Sequence, residues 1–188
     1  MLDAQIHLYY TNIRGIENSM RGDYYKLWTV AGAAGRFNYS SGEVHMGVFR
    51  DSDQFYECVG GLMDRAKADP QIGPKIAKSG IVIQFRYTEP EAMTTINAKS
   101  EPTQPGAYVD VIHGQCDLKP DVLMSMKADI AHAFWHGKVN LVAALSKKQI
   151  EAKGPIPKIL RLLPAVQPLY KTYPALLKEK GYDDLIMS

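Results

Sequence analysis

The fold of this chain is decided by residues 120–154, which read PDVLMSMKADIAHAFWHGKVNLVAALSKKQIEAKG. Near the start of this stretch, Val122, Met124 and Met126 occupy every second position. A period of two residues is typical of a strand that buries one face. The stretch therefore begins with a predicted strand whose inward side carries large, flexible apolar side chains.

Two helices and a second strand should follow within the same stretch. Asp129 is the candidate cap of the first helix, which would end at Gly137 because glycine readily adopts the left-handed conformation that terminates helices. Asn140 is the candidate cap of a second, shorter helix. That helix would carry three apolar residues on its inward face: Val142, Ala143 and Leu145. Residues 149–153 would then extend again as a strand.

The composition indicates one compact domain with its own core. The 188 residues are 46% hydrophobic, and a chain of this size buries on the order of 70% of its unfolded surface. The 22 basic and 20 acidic residues give a net charge of +2, which is too small a field to attract nucleic acid. We therefore expect no nucleic-acid partner.

Targeting features and cysteine usage favour the cytoplasm. The N-terminal segment MLDAQIHLYY has an acidic Asp3 and no basic region before an apolar core, unlike a secretory signal. No apolar run approaches the roughly 20 residues that a membrane-spanning helix needs. Cys58 and Cys116 lack metal-binding spacing, and in a reducing compartment they are expected to be buried thiols. The expected localisation is cytoplasmic.

Two predicted regions precede the sheet. Residues 1–50 should form an N-terminal extension, a helix followed by a hairpin, packed on a domain that spans residues 51–188. That domain should begin with a helix capped by Asp51 or Ser52 and stopping near Pro70. The apolar face of this helix follows helical spacing: Phe55, Cys58, Val59, Leu62, Met63 and Ala66.

From Gly80 onward the pattern changes to that of a sheet. A short helix would end at Gly80, and residues 81–88 alternate as one strand. Residues 93–100 form the next predicted strand, antiparallel to the first because the link between them is so short. Val109 and Val111 share one face of a third strand. With the two strands of the opening stretch, the sheet would have five.

The last segment, residues 156–181, is predicted to be an amphipathic arm. Pro164, Pro168 and Pro174 should divide it into short, kinked helical pieces because proline interrupts helices. Its polar side is locally basic: Lys158, Arg161, Lys171, Lys178 and Lys180. Basic amphipathic segments can lie transiently on an anionic membrane surface. The alternative is an arm packed on the sheet with its lysines in water, and both hold if the arm moves.

Residues that usually carry chemistry lack the partners they would need. His132 and His136 are four apart on a predicted helix, but Ala133 follows where a zinc protease has glutamate, and no third ligand is in view. His113 lies near Cys116, yet a histidine three residues away on or beside a strand usually points elsewhere. Hydrolase, dinucleotide-binding and kinase signatures are absent. The sequence favours binding over catalysis, with no metal, no cofactor and no enzyme activity expected.

The order of parts from Ile81 to Gly154 carries a resemblance to a known family. The parts are the strand IVIQFRYTEPEA, the strand and helix PDVLMSMKADIAHAFWHGK, the turn GKVN, a small-residue helix and the closing strand QIEAKG. This succession resembles the sterol carrier protein 2 family, the SCP2-like lipid-binding domains. The GKxN turn is its most specific piece. With the helices of residues 52–79, the likeness extends over about two thirds of the chain.

The resemblance implies an α+β fold, with a five-stranded, mostly antiparallel sheet covered on one face by helices. It also implies an apolar tunnel between these layers that holds fatty acyl chains, sterols or other lipids. The inward residues would then bind lipid, the last three as a lid: Ile83, Phe85, Val109, Val111, Met124, Met126, Ile130, Phe134, Trp135, Val142, Leu145, Leu160, Leu163 and Val166. Residues 1–50 have no identified counterpart in the family, and the arm is longer than the helix that usually closes the tunnel.

Two functions are compatible with these features. The first is a non-enzymatic lipid carrier that holds an apolar ligand in its tunnel, with the arm of residues 156–181 as a gate. The second is an accessory or oligomerisation module of an enzyme system, in which the apolar groove accepts a segment of a protein partner. The aromatic residues of the N-terminal region could supply such an interface, since aromatics are enriched there. The sequence is compatible both with a homodimer and with an enzyme partner.

Overall fold

The computed structural model describes residues 47–187. The predicted helix of the N-terminal extension and most of its hairpin lie outside the described residues. Residues 48–50, at the end of the predicted hairpin, form bends. The first helix of the described residues begins just after them, at Ser52.

Helices flank and separate the strands in an α+β order. Helix α1 consists of three consecutive segments: Ser52–Phe55, a π-helical segment Tyr56–Gly60, and Gly61–Ala68. The remaining helices are α2 (Gly73–Ala77), α3 (Ala128–Trp135), α4 (Leu141–Ser146), α5 (Ile156–Val166) and α6 (Leu169–Glu179). The strands are β1 (Val82–Thr88), β2 (Ala92–Asn97), β3 (Asp110–His113), β4 (Val122–Lys127) and β5 (Ile150–Lys153). A short 3-10 turn, Asp183–Leu185, follows α6.

The five strands form one mixed sheet in the order β3-β2-β1-β4-β5. Strands β1 and β4 pair in parallel, and the other three pairs are antiparallel. This register places Phe85 at the centre of the sheet, between Met124 of β4 and Thr94 of β2. The predicted α+β fold with a five-stranded, mostly antiparallel sheet is therefore confirmed.

One face of the sheet is apolar and is covered by the helices. In β4 the side chains of Val122, Met124 and Met126 are buried, whereas the intervening Leu123 and Ser125 are only partly buried. The buried side chains join those of all six helices in one hydrophobic core. The predicted alternation of this strand is confirmed, and it points the apolar residues toward the helical layer.

Helix α1 begins and buries its face as predicted. The Oδ1 atom of Asp51 accepts a hydrogen bond from the N–H of Gln54 at 2.8 Å, which satisfies one of the unpaired amides at the start of the helix. The predicted apolar face is buried throughout: Phe55, Cys58, Val59, Leu62, Met63 and Ala66. The helix stops at Ala68, so its predicted end is also correct.

Helix α3 begins without the predicted cap. Strand β4 runs directly into α3, so Asp129 lies inside the first turn and not at the cap position. Its Oδ1 atom accepts a hydrogen bond from the N–H of Val48 at 2.8 Å, and its charge still favours the N-terminal end of the helix dipole. The predicted end is correct, since Gly137 follows the helix with a φ of 71°.

Helix α4 is capped as predicted, but a different side of the helix faces the core. The Oδ1 atom of Asn140 accepts a hydrogen bond from the N–H of Ala143 at 3.0 Å. Leu141 and Ala144 form the buried face, while Val142 is 55% exposed. Because the cap makes Leu141 the first helical residue, and residues three apart share a face, Val142 turns outward. The prediction that Val142 and Ala143 face inward is wrong.

The C-terminal arm forms two helices and not several short pieces. Helices α5 and α6 contain 11 residues each, with Pro164 and Pro174 inside them, and only Pro168 falls at the break. An interior proline removes one backbone hydrogen bond, and the apolar side chains that each helix packs against the core offset that loss. The prediction that all three prolines divide the arm is wrong for Pro164 and Pro174.

Candidate functional site

A cavity of about 90 Å³ lies between the apolar face of the sheet and the helices. The sheet and its edges contribute nine lining residues: Ile83, Phe85, Tyr87, Ile96, Val109, Val111, Met124, Met126 and Ile150. The helices contribute thirteen: Met63, Ala66, Lys67, Ile76, Ala131, Phe134, Trp135, Leu141, Ile159, Leu162, Leu163, Val166 and Leu169. Among the described residues, Lys67 is the single charged member of this lining.

The floor of the cavity follows from strand alternation. In the parallel pair, Phe85 lies beside Met124 and Tyr87 lies beside Met126. Successive side chains of a strand point to opposite faces, so these four residues stand together on the face that the helices cover. Two methionines in this floor give it flexible, polarizable side chains that adapt to irregular shapes.

The roof of the cavity is helical. Helix α3 contributes Ala131, Phe134 and Trp135, which are spaced at i, i+3 and i+4 and so share one face. Helix α5 contributes residues 159, 162, 163 and 166, the same spacing extended by one turn. Phe134 and Trp135 pack edge to face with ring centroids 4.9 Å apart. The roof is therefore partly aromatic and partly aliphatic.

The structure brings ten of the fourteen predicted site residues to the cavity wall. These ten are Ile83, Phe85, Val109, Val111, Met124, Met126, Phe134, Trp135, Leu163 and Val166. They come from several strands and helices and from the segment before β3, so the cavity gathers residues that are far apart in sequence. Their role in binding a lipid stays a prediction.

Four predicted site residues lie outside the lining. Ile130, Leu145 and Leu160 pack against the core while partly buried, and Val142 is exposed. Leu160 is displaced because the cavity stripe of α5 runs through Ile159 and Leu163, and a neighbouring residue is rotated by about 100°. Placing these four residues correctly requires knowledge of how each helix is rotated about its axis. The spacing of apolar residues alone does not give that rotation.

Sequence reasoning missed the contribution of α1 and α2. Met63, Ala66, Lys67 and Ile76 line the cavity, and none of them was among the predicted site residues. The other missed residues are Tyr87, Ile96, Ala131, Leu141, Ile150, Ile159, Leu162 and Leu169. Helical and strand spacing could mark most of these residues as inward. No sequence signal separates inward residues that border a cavity from those that fill the core.

A polar network lies beside the cavity at the end formed by α1 and β3. The Nζ atom of Lys67 donates to Oδ1 of Asp64 at 2.8 Å, and Oδ2 of Asp64 is 3.1 Å from Nε2 of His113. The other ring nitrogen of His113 is 3.3 Å from Oγ1 of Thr94. The ring fits under α1 at Gly60, where an added Cβ would lie 3.1 Å from Cε1 of His113.

A second polar cluster joins α3 to α6. The Nδ1 atom of His132 is 2.9 Å from the hydroxyl of Tyr173, and the rings of His132 and His136 are 4.6 Å apart between centroids. Burial, reinforced by the neighbouring His136, lowers the pKa of His132 to about 4. His132 is therefore neutral near pH 7, and its contact with Tyr173 links α3 to α6 without an ionic interaction. No group of three or more metal-binding side chains occurs within residues 47–187.

The cavity is suited to apolar contact. Within the described part of the chain, its lining includes no carboxylate, thiol or imidazole. Cys58 lies in the core outside the lining, and burial raises the pKa of its thiol to about 12, so the thiol stays protonated near pH 7. What the arrangement can do chemically is remove an apolar group from water.

No protein-family model matches this chain, and no curated protein matches it. Across residues 47–187, no helix reaches the length and apolar character needed to cross a membrane.

Solved structures of sterol carrier protein 2 align with the chain. The apo protein from Yarrowia lipolytica shares 20% identity, with 71% of this chain and 97% of that chain covered and a TM-score of 0.45. The sterol carrier protein domain of Helicoverpa armigera shares 17% identity, covering 61% and 89%, with a TM-score of 0.46. The predicted resemblance to this family is thus found among solved structures as a likeness of fold.

Part of a larger enzyme also aligns with this chain. The stereoselective inverting sec-alkylsulfatase from a Pseudomonas species shares 16% identity, with 65% of this chain and 17% of that chain covered and a TM-score of 0.44. The three TM-scores lie below 0.5 and the three identities below 25%. At this level the likeness concerns the fold alone.

Proposed function

We propose that this protein is a non-enzymatic lipid carrier that holds a single apolar chain between its sheet and its helices. The observation that carries the proposal is a cavity with a mostly apolar lining, in which Lys67 is the single charged residue among those that the structure describes. Ligand sites of this kind usually combine a mostly hydrophobic wall with very few polar groups. The two floor methionines, Met124 and Met126, suit ligands of varied shape.

Apolar contact is strong enough to hold such a ligand. Burying ten methylene groups contributes roughly 8 kcal/mol gross, at about 0.8 kcal/mol for each group. The costs of association and of ordering the chain reduce this gain. A ligand with a long alkyl chain can thus be retained without a strong polar contact.

The volume of the cavity implies that one wall moves when a long chain enters. About 90 Å³ is less than the roughly 300–1,000 Å³ of typical small-molecule sites. Helix α5 is the wall best suited to move, because only Ile159 and Ala165 of its residues are buried. Leu162, Leu163 and Val166 would then cover the ligand as a lid.

The outer side of the lid fits a transient contact with a membrane. Lys158 and Arg161 of α5 are exposed, and so is Lys171 of α6. Cationic side chains on an amphipathic helix are attracted to anionic lipid headgroups. A carrier that docks by this side would present the movable wall of its cavity to the bilayer.

Native mass spectrometry of the full-length protein, followed by solvent extraction, tests the proposal. We expect a species heavier than the 21.0 kDa chain and an extracted lipid in stoichiometric amount. Phe134→Asp places a charge in the lining and should abolish lipid retention. Val142→Asp is the matched control, because Val142 is apolar but 55% exposed and outside the cavity.

Two outcomes would contradict the carrier function. One is an unliganded mass that added dodecanoate and sterol leave unchanged, which would direct attention to a protein partner. The other is unchanged lipid retention in a folded Phe134→Asp variant, since a charged carboxylate in the wall should expel an alkyl chain.

A further inference from the structure

A pair of histidines lies on and just after α3, outside the lining of the cavity. His132 is 1% exposed, and its Nδ1 atom is 2.9 Å from the hydroxyl of Tyr173 in α6. The ring of His136, the residue after α3, stands 4.6 Å from the ring of His132 between centroids. The segment before α1 contributes the uncharged ring of Phe49, with its centroid 5.3 Å from that of His132. The histidine pair, His132 and His136, is thus enclosed by α3, α6 and this segment.

Burial makes a positive charge on the histidine pair unfavourable. It lowers the pKa of both imidazoles, that of His132 to about 4. The neighbouring His136 lowers the pKa of His132 further, because two positive charges so close together would repel each other. The Nε2 atom of His136 is buried and has no hydrogen-bond partner in the part of the chain that the structure describes. A proton taken up by this pair therefore favours any movement that admits water.

The other groups around the pair oppose this effect only in part. Asp129 of α3 favours the protonated form of His132, and the backbone of Leu185 in the 3-10 turn favours that form of both rings. Lys138 disfavours protonation of His136. The phenol of α6 and the groups that act on it from α1 and β1 are uncharged near pH 7, because burial raises the pKa of each: Tyr173, Cys58 and Tyr87.

The contact between His132 and Tyr173 also holds the end of the proposed lid. Helix α5 is joined to α6 at Pro168, where the two helices break. Leu169, the first residue of α6, lines the cavity, and Tyr173 lies on the same face of α6 one turn further along. The start of α6 therefore connects the histidine pair to the roof of the cavity at the point where the lid ends.

We propose that the histidine pair is an acid-operated lock on the lid, and that its protonation frees the start of α6 and speeds the exchange of the bound lipid. This inference rests on the proposed function and adds its regulation. With both rings neutral, His132 and Tyr173 hold α6 against α3, so α5 stays closed over the ligand. A proton on either ring places a charge among apolar groups, and the start of α6 moves outward so that water reaches it. Helix α5 follows because Pro168 joins it to α6.

The size of the effect follows from proton linkage. If the open state restores to His132 its ordinary pKa of 6.5, against about 4 in the closed state, lowering the pH from 7 to 5 favours opening about twentyfold. Lipid enters and leaves through the same opening, so both rates rise together. The equilibrium affinity should therefore change little, which separates a lock from acid damage to the cavity.

Transfer of dodecanol from the full-length protein to excess phosphatidylcholine vesicles, followed by stopped flow at pH 7 and pH 5, tests the lock. Dodecanol has no ionisable head group, the vesicles carry no net charge, and Trp135 in the cavity wall reports the loss of ligand by its fluorescence. We expect the release rate of the wild-type protein to rise about twentyfold at pH 5. The affinity, from equilibrium titration of the same signal, should stay within about threefold.

Two histidine variants separate the lock from other effects of acid. His132→Gln removes the titrating ring and keeps an amide that can bond to Tyr173, so its release rate should be nearly equal at the two pH values. His113→Gln is the matched control, because His113 is bonded to Asp64 of α1 and Thr94 of β2 and lies outside the histidine pair. This control should keep the full rise.

Hydrogen exchange of the wild-type protein keeps the test independent of any folding defect in the variants. After correction for the intrinsic effect of pH on exchange, the amides at the start of α6 should lose more protection at pH 5 than those of β1. Equal loss in the two elements would mean that acid loosens the whole domain and not the start of α6, and it would overturn the inference.

Four transfer results would also overturn it. They are a wild-type release rate that is the same at both pH values, a full rise in His132→Gln, a rise that is lost in His113→Gln, and a loss of affinity at pH 5 that accounts for the faster release. In each case the lipid-carrier function stands, because the wild-type protein still binds dodecanol at pH 7. Failure of the wild-type protein to bind dodecanol at pH 7 refutes the lock together with the proposed function.

Discussion

The two helices of the C-terminal arm have the same length, and each contains an internal proline, yet they are held very differently. Helix α6 buries Leu169, Tyr173, Leu176 and Leu177, each at most 2% exposed. Helix α5 buries only Ile159 and Ala165, each at 7%, although four of its residues line the cavity.

The difference shows that packing against the core, and not helix pattern, decides which part of an arm is fixed. Helix α6 contacts α1 and α3 directly and fills the core with large side chains. Helix α5 faces a space that is only partly occupied, so fewer atoms oppose its outward movement. We therefore regard α6 as a fixed part of the core and α5 as the proposed lid.

Among the tests of this difference between α5 and α6, a substitution in α6 should have the largest effect on the free energy of unfolding. Leu176→Ala removes a side chain that is 1% exposed, and it should lower the free energy of unfolding by about 2–5 kcal/mol. Urea denaturation followed by circular dichroism measures the change. A loss below about 1 kcal/mol would mean that the site collapses easily and that α6 is not fixed core.

The second-largest effect should come from acid, which should weaken the packing of α6 on α3. The pKa of His132 is lowered to about 4 in the folded protein from an ordinary value of 6.5. The unfolded chain therefore binds a proton first, so the contribution of His132 to stability is constant above pH 6.5 and falls as the pH drops from 6.5 toward 4. The pKa of His136 is also lowered, chiefly by burial, and shifts stability in the same direction.

Melting temperatures measured across this pH range check the effect. His132→Gln removes the larger titration, so its melting temperature should depend less on pH than that of the wild-type protein. Burial also raises the pKa of Tyr173, so this partner of His132 stays protonated throughout the range. Identical pH profiles for the two proteins would contradict a role for His132 in this acid sensitivity.

The smallest expected effect on stability is in α5. Leu163 is partly buried and already borders the cavity, so Leu163→Ala should cost about 1 kcal/mol or less, well under the usual range for buried leucine. The same urea experiment measures it. Hydrogen exchange sharpens the comparison, because the amides of α5 should exchange faster than those of α6. Equal losses for Leu163→Ala and Leu176→Ala would remove the distinction between lid and core.

Much of the fold could be predicted because its signals are local. The alternation of Val122, Met124 and Met126, the cap at Asn140 and the termination at Gly137 each depend on a few neighbouring residues. Backbone geometry translates such patterns directly into strands and helices. The predicted cap at Asp129 was wrong because β4 runs into α3 without a link, a continuity that no local signal announces.

The amino-acid sequence by itself determined most elements of the described residues, their order and the inward faces of β1, β3 and β4. Only the tertiary structure decided the rotation that exposes Val142, the survival of α5 and α6 around their internal prolines, and the placement of Lys67 in an apolar wall. The physical reason is that a cavity is defined by distances between layers. Periodicity tells which side chains point inward, whereas the space they leave empty depends on how whole elements pack together.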